Sequence, residues 1–164
     1  MQTHKLKMMT VTAILTALNV VISRFFIIPI PFTHGNINLC DAGIFIVALL
    51  YGPWAGLFTG AMSGFLLDMI SGYSQYMFFS LIVHGVEGLV VGLTIFKRPT
   101  RTKKIVAVIT GIIVMVIGYF GSDTIIYNIQ TGLLGIPMNI IQGIVGAIVA
   151  LLLTPLLKKI VNIK

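Results

Sequence analysis

Two residues of this chain stand out chemically, Glu87 and His84. The 164 residues include only four acids, Asp41, Asp68, Glu87 and Asp123, and three histidines. Glu87 sits in the middle of a long apolar run. At the centre of a membrane helix a charged group costs about 2.5 to 3.5 kcal/mol on insertion scales, so an ionisable residue there is a functional-site candidate by default. His84 precedes it by three residues, and a helix then places both on one face. A carboxylate and an imidazole so placed can orient a polar solute. The plainer alternative is a buried helix-to-helix hydrogen bond that only holds a bundle together.

Other polar side chains gather toward one end of the same apolar segments. Asn36, Asn38, Asp41, Asp68, Tyr73, Gln75, Tyr76, Asn128 and Asn139 form with His84 and Glu87 a candidate substrate-binding set. His34, Asp123, Tyr127 and Gln130 lie nearby in sequence, and Gln142 lies deeper. Tyr rings would stack on a small aromatic molecule while carboxylate, amide and imidazole groups fix its orientation. Loop residues are also polar simply because loops meet water, and that explains much of the set, but not Glu87 and His84. Catalysis is not expected. The carboxylates fall on separate segments at different depths and form no compact pair such as D-x-x-D, which argues against an enzyme acting on lipid head groups. Cys40 is the single cysteine, and there is no C-x-x-C, H-E-x-x-H or G-x-x-x-x-G-K-[ST] pattern. No zinc site, nucleotide hydrolysis or cofactor is therefore expected of the chain itself.

The elements that must position these residues are membrane helices. Hydrophobic residues make up 57% of the chain and charged ones 9%, with a mean hydropathy of +1.06. A soluble domain carries roughly 25% charged residues. Six spans of about 20 residues take about 120 and leave about 44 for every loop and tail, which excludes an added soluble domain. Apolar stretches broken by Gly, Pro or charge predict helices over 8–28, 39–51, 53–70, 76–96, 105–126 and 135–157. The first is too long for a signal-peptide core and is followed by further spans, so it reads as retained. The second is short, which suggests that part of 29–38 lies at membrane depth, shielded by protein. Pro29, Pro31 and Gly35 would suit that segment to a gating loop. The expectation is an all-α integral membrane protein, one six-helix domain over 1–164.

Charge placement orients the bundle. The net charge is +7, which in a soluble protein would suggest nucleic acid. Here Lys5, Lys7, Lys97, Arg98, Arg101, Lys103, Lys104, Lys158, Lys159 and Lys164, all but Arg24 of the basic residues, fall on one side of a six-span topology. Basic residues in short loops stay cytoplasmic, so both termini are expected in the cytoplasm, the polar set outside, and no nucleic-acid partner. Gly52, Gly56, Gly60 and Gly64 recur every four residues along the third helix, a spacing that admits a close neighbouring helix, here within the chain. Gly85, Gly88 and Gly92 repeat the theme, as do Gly143 and Gly146. Ala13 and Ala17 make an A-x-x-x-A patch on the first helix.

The stretch Asn38-Leu39-Cys40-Asp41-Ala42-Gly43-Ile44-Phe45, then Leu49-Leu50-Tyr51-Gly52-Pro53-Trp54-Ala55-Gly56, Asp68, Ser71-Gly72-Tyr73 and His84-Gly85-Val86-Glu87-Gly88 resembles the S components of energy-coupling factor vitamin transporters. The resemblance covers nearly the whole chain and is most specific over 38–92. It implies a multi-pass protein of the prokaryotic plasma membrane that captures a water-soluble vitamin or precursor outside. It also implies two kinds of partner, a shared membrane coupling subunit (T component) and two cytoplasmic ATPases that drive reorientation of the whole bundle in the lipid bilayer. Ala13 and Ala17 would then belong to the face that docks on the coupling subunit. The nearest branch is the hydroxymethylpyrimidine or pyridoxine type; riboflavin or pantothenate could use many of the same groups. A small autonomous channel or secondary transporter is the remaining alternative.

Overall fold

The computed structural model describes residues 2–30, 35–96 and 100–160. Pro31, His34, Lys97, Arg98 and Lys164 lie outside the described residues, so the expected gating loop is described only in part, and the side chains of Lys5 and Lys7 are likewise outside. The described residues form six helices: α1 (Gln2–Phe25), α2 (Cys40–Tyr51), α3 (Pro53–Ser71), α4 (Met77–Ile95), α5 (Arg101–Ile126) and α6 (Ile129–Ile160). Between α1 and α2 a short antiparallel ladder joins β1 (Ile28–Pro29) to β2 (Asn36–Ile37), with Ile28 opposite Ile37 and Pro29 opposite Asn36.

Four of these helices, α1, α4, α5 and α6, are long and apolar enough to cross a membrane. α3 has 19 residues but carries Thr59, Ser63 and Asp68 among its glycines. α2 has only 12 residues, about 18 Å at 1.5 Å per residue, which is short of a hydrocarbon core about 30 Å thick. Two described backbone N–H groups of the segment before it are satisfied by protein. Ile30 N–H donates to Gly35 O at 3.1 Å, and Asn38 N–H to Gln142 Oε1 at 2.8 Å. Such satisfaction is what irregular backbone needs away from water.

Helix ends depart from the sequence reading where side chains cap them. α5 begins at Arg101, because Thr100 is extended and its hydroxyl accepts from Lys103 N–H, an N-cap that favours helix. α6 begins at Ile129, six residues before the predicted start at 135. Asn128 Oδ1 takes the N–H and hydroxyl of Thr131 at 2.9 and 3.1 Å and so starts the helix early. Pro137 and Pro155 are inside α6; each removes one backbone donor, which neighbouring helices make tolerable in a membrane. The α2–α3 junction turns on Gly52 at φ 86°, a left-handed value open to glycine, and Pro53 then occupies the start of α3.

α3 and α4 are the most intimately packed pair. A methyl group added to Gly60 would sit 1.9 Å from His84 O, one on Gly56 2.4 Å from Gly88 O, and one on Gly64 2.7 Å from Ser80 O. The four-residue glycine spacing thus serves packing within the chain. α5 lies against α4 and α6, and α2 is enclosed by α3, α4 and α6. Phe45, Ala48, Val91, Val108 and Ala150 form the apolar core of this half. α1 turns a polar stripe inward: Thr12, Thr16, Asn19 and Ser23 are buried. Thr16 Oγ1 meets Thr59 Oγ1 at 3.0 Å, and Asn19 Nδ2 donates to Cys40 O at 3.0 Å and Ser63 Oγ at 3.1 Å. Ile14, Leu18, Val21 and Ile22 face outward, as do Ala13 and Ala17. With lipid as solvent, polar groups belong inside and large apolar ones outside, and the chain is an all-α membrane protein built on that rule.

Candidate functional site

The chemistry is arranged in two tiers at the end of the bundle where α3 and α5 finish and α4 and α6 begin. The lower tier is Asp41 at the start of α2 with His84 and Glu87 on α4, all buried, Asp41 and Glu87 at 0% exposure. His84 Nδ1 is 2.6 Å from Glu87 Oε2 and 3.5 Å from Asp41 Oδ1. The i, i+3 placement on one helix face brings His84 and Glu87 together. Gly146 lets α6 approach Asp41, since a methyl there would fall 2.8 Å from Asp41 Cβ.

The upper tier is a cleft of about 30 Å³, room for about one water as it stands. Asn36, Asn38, Asp68, Tyr76, Tyr119, Asp123, Asn139 and Gln142 line it, with Ile30, Gly35 and Gly135. Tyr76 O–H donates to Asp123 Oδ1 at 2.5 Å. Burial and the Asp123 carboxylate push the Tyr76 phenol above its ordinary pKa, so it stays a donor. The Tyr76 ring lies 6.4 Å from Tyr119 and 6.3 Å from Tyr127, centroid to centroid, which makes an aromatic wall.

A hydrogen-bond relay joins the tiers, and its proton directions follow one from another. Ser80 O–H donates to Asp68 Oδ2. Ser80 Oγ, 2.7 Å from Tyr119 Oη, must then accept the tyrosine proton, because a hydroxyl has one proton to give. Tyr119 Oη, 2.9 Å from His84 Nε2, must in turn accept from the imidazole. A neutral His84 is therefore unprotonated at Nδ1, and its contact with Glu87 needs one further proton, carried on either side. The pair is thus neutral as a unit. Asp41 gains no proton from it: both Asp41 oxygens and Glu87 Oε1 are buried without a hydrogen-bond partner, although the Gln142 amide lies beside Asp41. Buried carboxylate oxygens left without donors are expensive, and a ligand bringing donors would relieve that cost. Asp41, His84 and Glu87 also place one donor atom each within 4.8 Å of one another, a set that a divalent ion can use. The His84–Glu87 hydrogen bond, however, occupies the Nδ1 position such an ion would take.

Of the residues expected from sequence, the structure brings Asn36, Asn38, Asp68, Tyr76 and Asn139 to the cleft, and Asp41, His84 and Glu87 to the tier beneath it. Asn36 and Asn38 also bond to each other at 2.9 Å, and Asn38 Oδ1 accepts from Cys40 N–H at the start of α2. Tyr73, Gln75 and Asn128 stand apart. Tyr73 is half-buried in the α3–α4 turn, its N–H on Asp68 O and its carbonyl on Tyr76 N–H. Gln75 is exposed, and exposed Asn128 caps α6. The sequence reading passed over Tyr119, which links the tiers. Its signal was present: it lies one helical turn before Asp123 on the same helix, after a long apolar run.

Six helices with a small polar cleft at one end, and buried ionisable groups beyond it, define a multi-pass membrane protein with a polar site at that end. The sequence profile of the family described as "ECF-type riboflavin transporter, S component" matches residues 3–159, and the chain belongs to that family. It is thus a vitamin-transport subunit of the plasma membrane. It is 39% identical over 160 residues to the "Thiamine precursor transporter HmpT" of Lactococcus lactis subsp. cremoris, covering 97% of this chain and 92% of that protein. An uncharacterized protein of Pyrococcus woesei is 34% identical over 134 residues, covering 80% of this chain and 88% of that one. Among solved structures, the S component of a bacterial ECF transporter superposes with a TM-score of 0.67 at 27% identity, covering 96% of this chain and 98% of that chain.

Proposed function

We propose that the chain captures an aminopyrimidine precursor of thiamine, of the hydroxymethylpyrimidine type, at the polar end of the bundle. One observation carries the reading: three buried carboxylate oxygens without hydrogen-bond partners, on Asp41 and Glu87, directly beneath the cleft. An exocyclic amine on a heteroaromatic ring supplies two donors for them, and Tyr76 and Tyr119 offer ring faces. The hydroxymethyl group suits Asn36, Asn38 or Asn139. Pantothenate would bring its own carboxylate against Asp41, Asp68 and Asp123, a like-charge contact that disfavours it. The flavin ring edge of riboflavin offers a single N–H among acceptors, so the ring itself cannot bring the paired donors of an exocyclic amine to the Asp41 oxygens. The name of the Lactococcus relative supports the same choice.

In this reading the basic end and both termini are cytoplasmic, and the polar end opens outward. A membrane coupling subunit docks on the Ala13 and Ala17 face of α1, and two ATPases drive reorientation of the loaded bundle. Purification from cells grown with thiamine precursors, followed by mass spectrometry of the released ligand, tests the proposal. Hydroxymethylpyrimidine should co-purify and raise the melting temperature. Tighter binding of riboflavin or pantothenate, or no vitamin bound at all, would overturn it.

A further inference from the structure

Among the described residues, the end of the bundle remote from the cleft holds cations with no acidic side chain beside them. All four acids lie elsewhere, Asp41, Asp68, Glu87 and Asp123 being buried in the polar half. Arg101, Lys103 and Lys104 open α5, and no acid occurs in its first turn. That is the unfavourable sign for a helix N-terminus, whose free N–H groups and dipole favour anions. Beside this turn, α5 and α6 flank an open surface cavity of about 360 Å³ lined by Arg101, Lys104, Ile105, Leu151, Leu152 and Pro155. Its lining is divided: a guanidinium and an ammonium at the helix start, aliphatic side chains along the rest. Lys158 follows Leu151 by seven residues and Pro155 by three, so the helical period returns it to the same face of α6, where it is exposed.

We propose that this cavity binds an anionic glycerophospholipid, its phosphate held by Arg101 and Lys104 and an acyl chain lying along Ile105, Leu151 and Leu152. The arginine fork matches phosphate oxygens bidentately, and lysine adds a point charge. Basic pockets between membrane helices take anionic head groups for this reason. The aliphatic lining selects a lipid over a free phosphate, which would have no use for it. Such a lipid also supplies the counter-charge that the chain lacks at this end.

The test is native mass spectrometry of the full-length chain in detergent, titrated with dioleoylphosphatidylglycerol or dioleoylphosphatidylcholine, with inorganic phosphate as competitor. The wild type should retain the phosphatidylglycerol about fivefold or more in preference to the phosphatidylcholine. Joint replacement Arg101→Gln and Lys104→Gln should abolish that preference. Arg24→Gln, which removes the exposed cation at the end of α1, should leave it intact. Equal retention of the two lipids by the wild type would overturn the proposal. So would undiminished preference in the double variant, or displacement of the lipid by inorganic phosphate.

Discussion

His84 is the residue on which the site turns, because it joins the lower tier to the relay that leads to the upper one. Its Nδ1 meets Glu87 at 2.6 Å and its Nε2 meets Tyr119 at 2.9 Å. His84→Ala leaves Glu87 without its side-chain partner and Tyr119 with Ser80 alone in a dry interior, and breaks the path from Glu87 to Asp68. A hydrogen bond to a charged group is worth about 1.5 to 3 kcal/mol, so ligand affinity should fall about ten- to hundredfold. Glu87→Gln keeps the shape and lets an amide N–H reach Nδ1, but it removes the mobile proton and an acceptor oxygen; a loss of about tenfold is expected. Isothermal titration of hydroxymethylpyrimidine into both variants, with melting curves to confirm folding, measures this. Unchanged affinity in both would reduce the pair to a helix-to-helix contact. The prominence of Glu87 and His84 was legible in the sequence because a buried charge needs a reason to be there. The remoteness of Gln75 and Asn128 from the cleft was not, since a polar residue near a helix end serves equally well as a cap, as a solvated turn or as a ligand contact.

At the scale of elements, the site depends on how closely α3 and α4 approach, since His84 O is the atom that faces Gly60. A methyl placed 1.9 Å from that oxygen must push the backbone of α4 away, and overpacking of this kind costs about 1 to 3 kcal/mol. Gly60→Ala should therefore lower the melting temperature and, by moving His84, weaken ligand binding as well. Gly121 on α5 has nothing within 4 Å of the added methyl, and there Gly→Ala should stabilise by about 0.4 to 1 kcal/mol. Melting in detergent at one fixed scan rate compares the two; equal shifts would show that helix propensity and not the interhelical contact decides. The glycine repeat announced a close neighbour, but its period could not say which helix. α1 hid its inner face for a different reason. Thr12 and Thr16 bond the carbonyls of Met8 and Thr12 within their own helix, so a hydroxyl in a membrane helix need not point at anything. Asn19, which reaches Cys40 and Ser63, has no such partner within its own helix and bonds across helices, as Thr16 also does to Thr59.

For the whole molecule, reorientation in a bilayer asks for a bundle that presents no buried charge to lipid as it moves. The four carboxylates meet that demand, each at or below 7% exposure, so the proposed motion would carry them across the membrane within protein. α1 then has two unlike faces. Thr16 and Asn19 tie its inner face to α2 and α3, while Ala13 and Ala17 stand exposed and leave a shallow strip between larger side chains such as Ile14 and Leu18. A strip of small residues lets another helix come close, and filling it should disturb docking alone. The pair Ala13→Trp and Ala17→Trp should leave ligand affinity of the isolated chain within about twofold. With the coupling subunit and ATPases present, it should cut uptake into vesicles about tenfold or more, as expected for a lost packed interface. Co-purification of the coupling subunit should fall with it. Normal uptake by the double variant would place the docking face elsewhere on the bundle, and loss of ligand binding would mean that α1 supports the cleft itself.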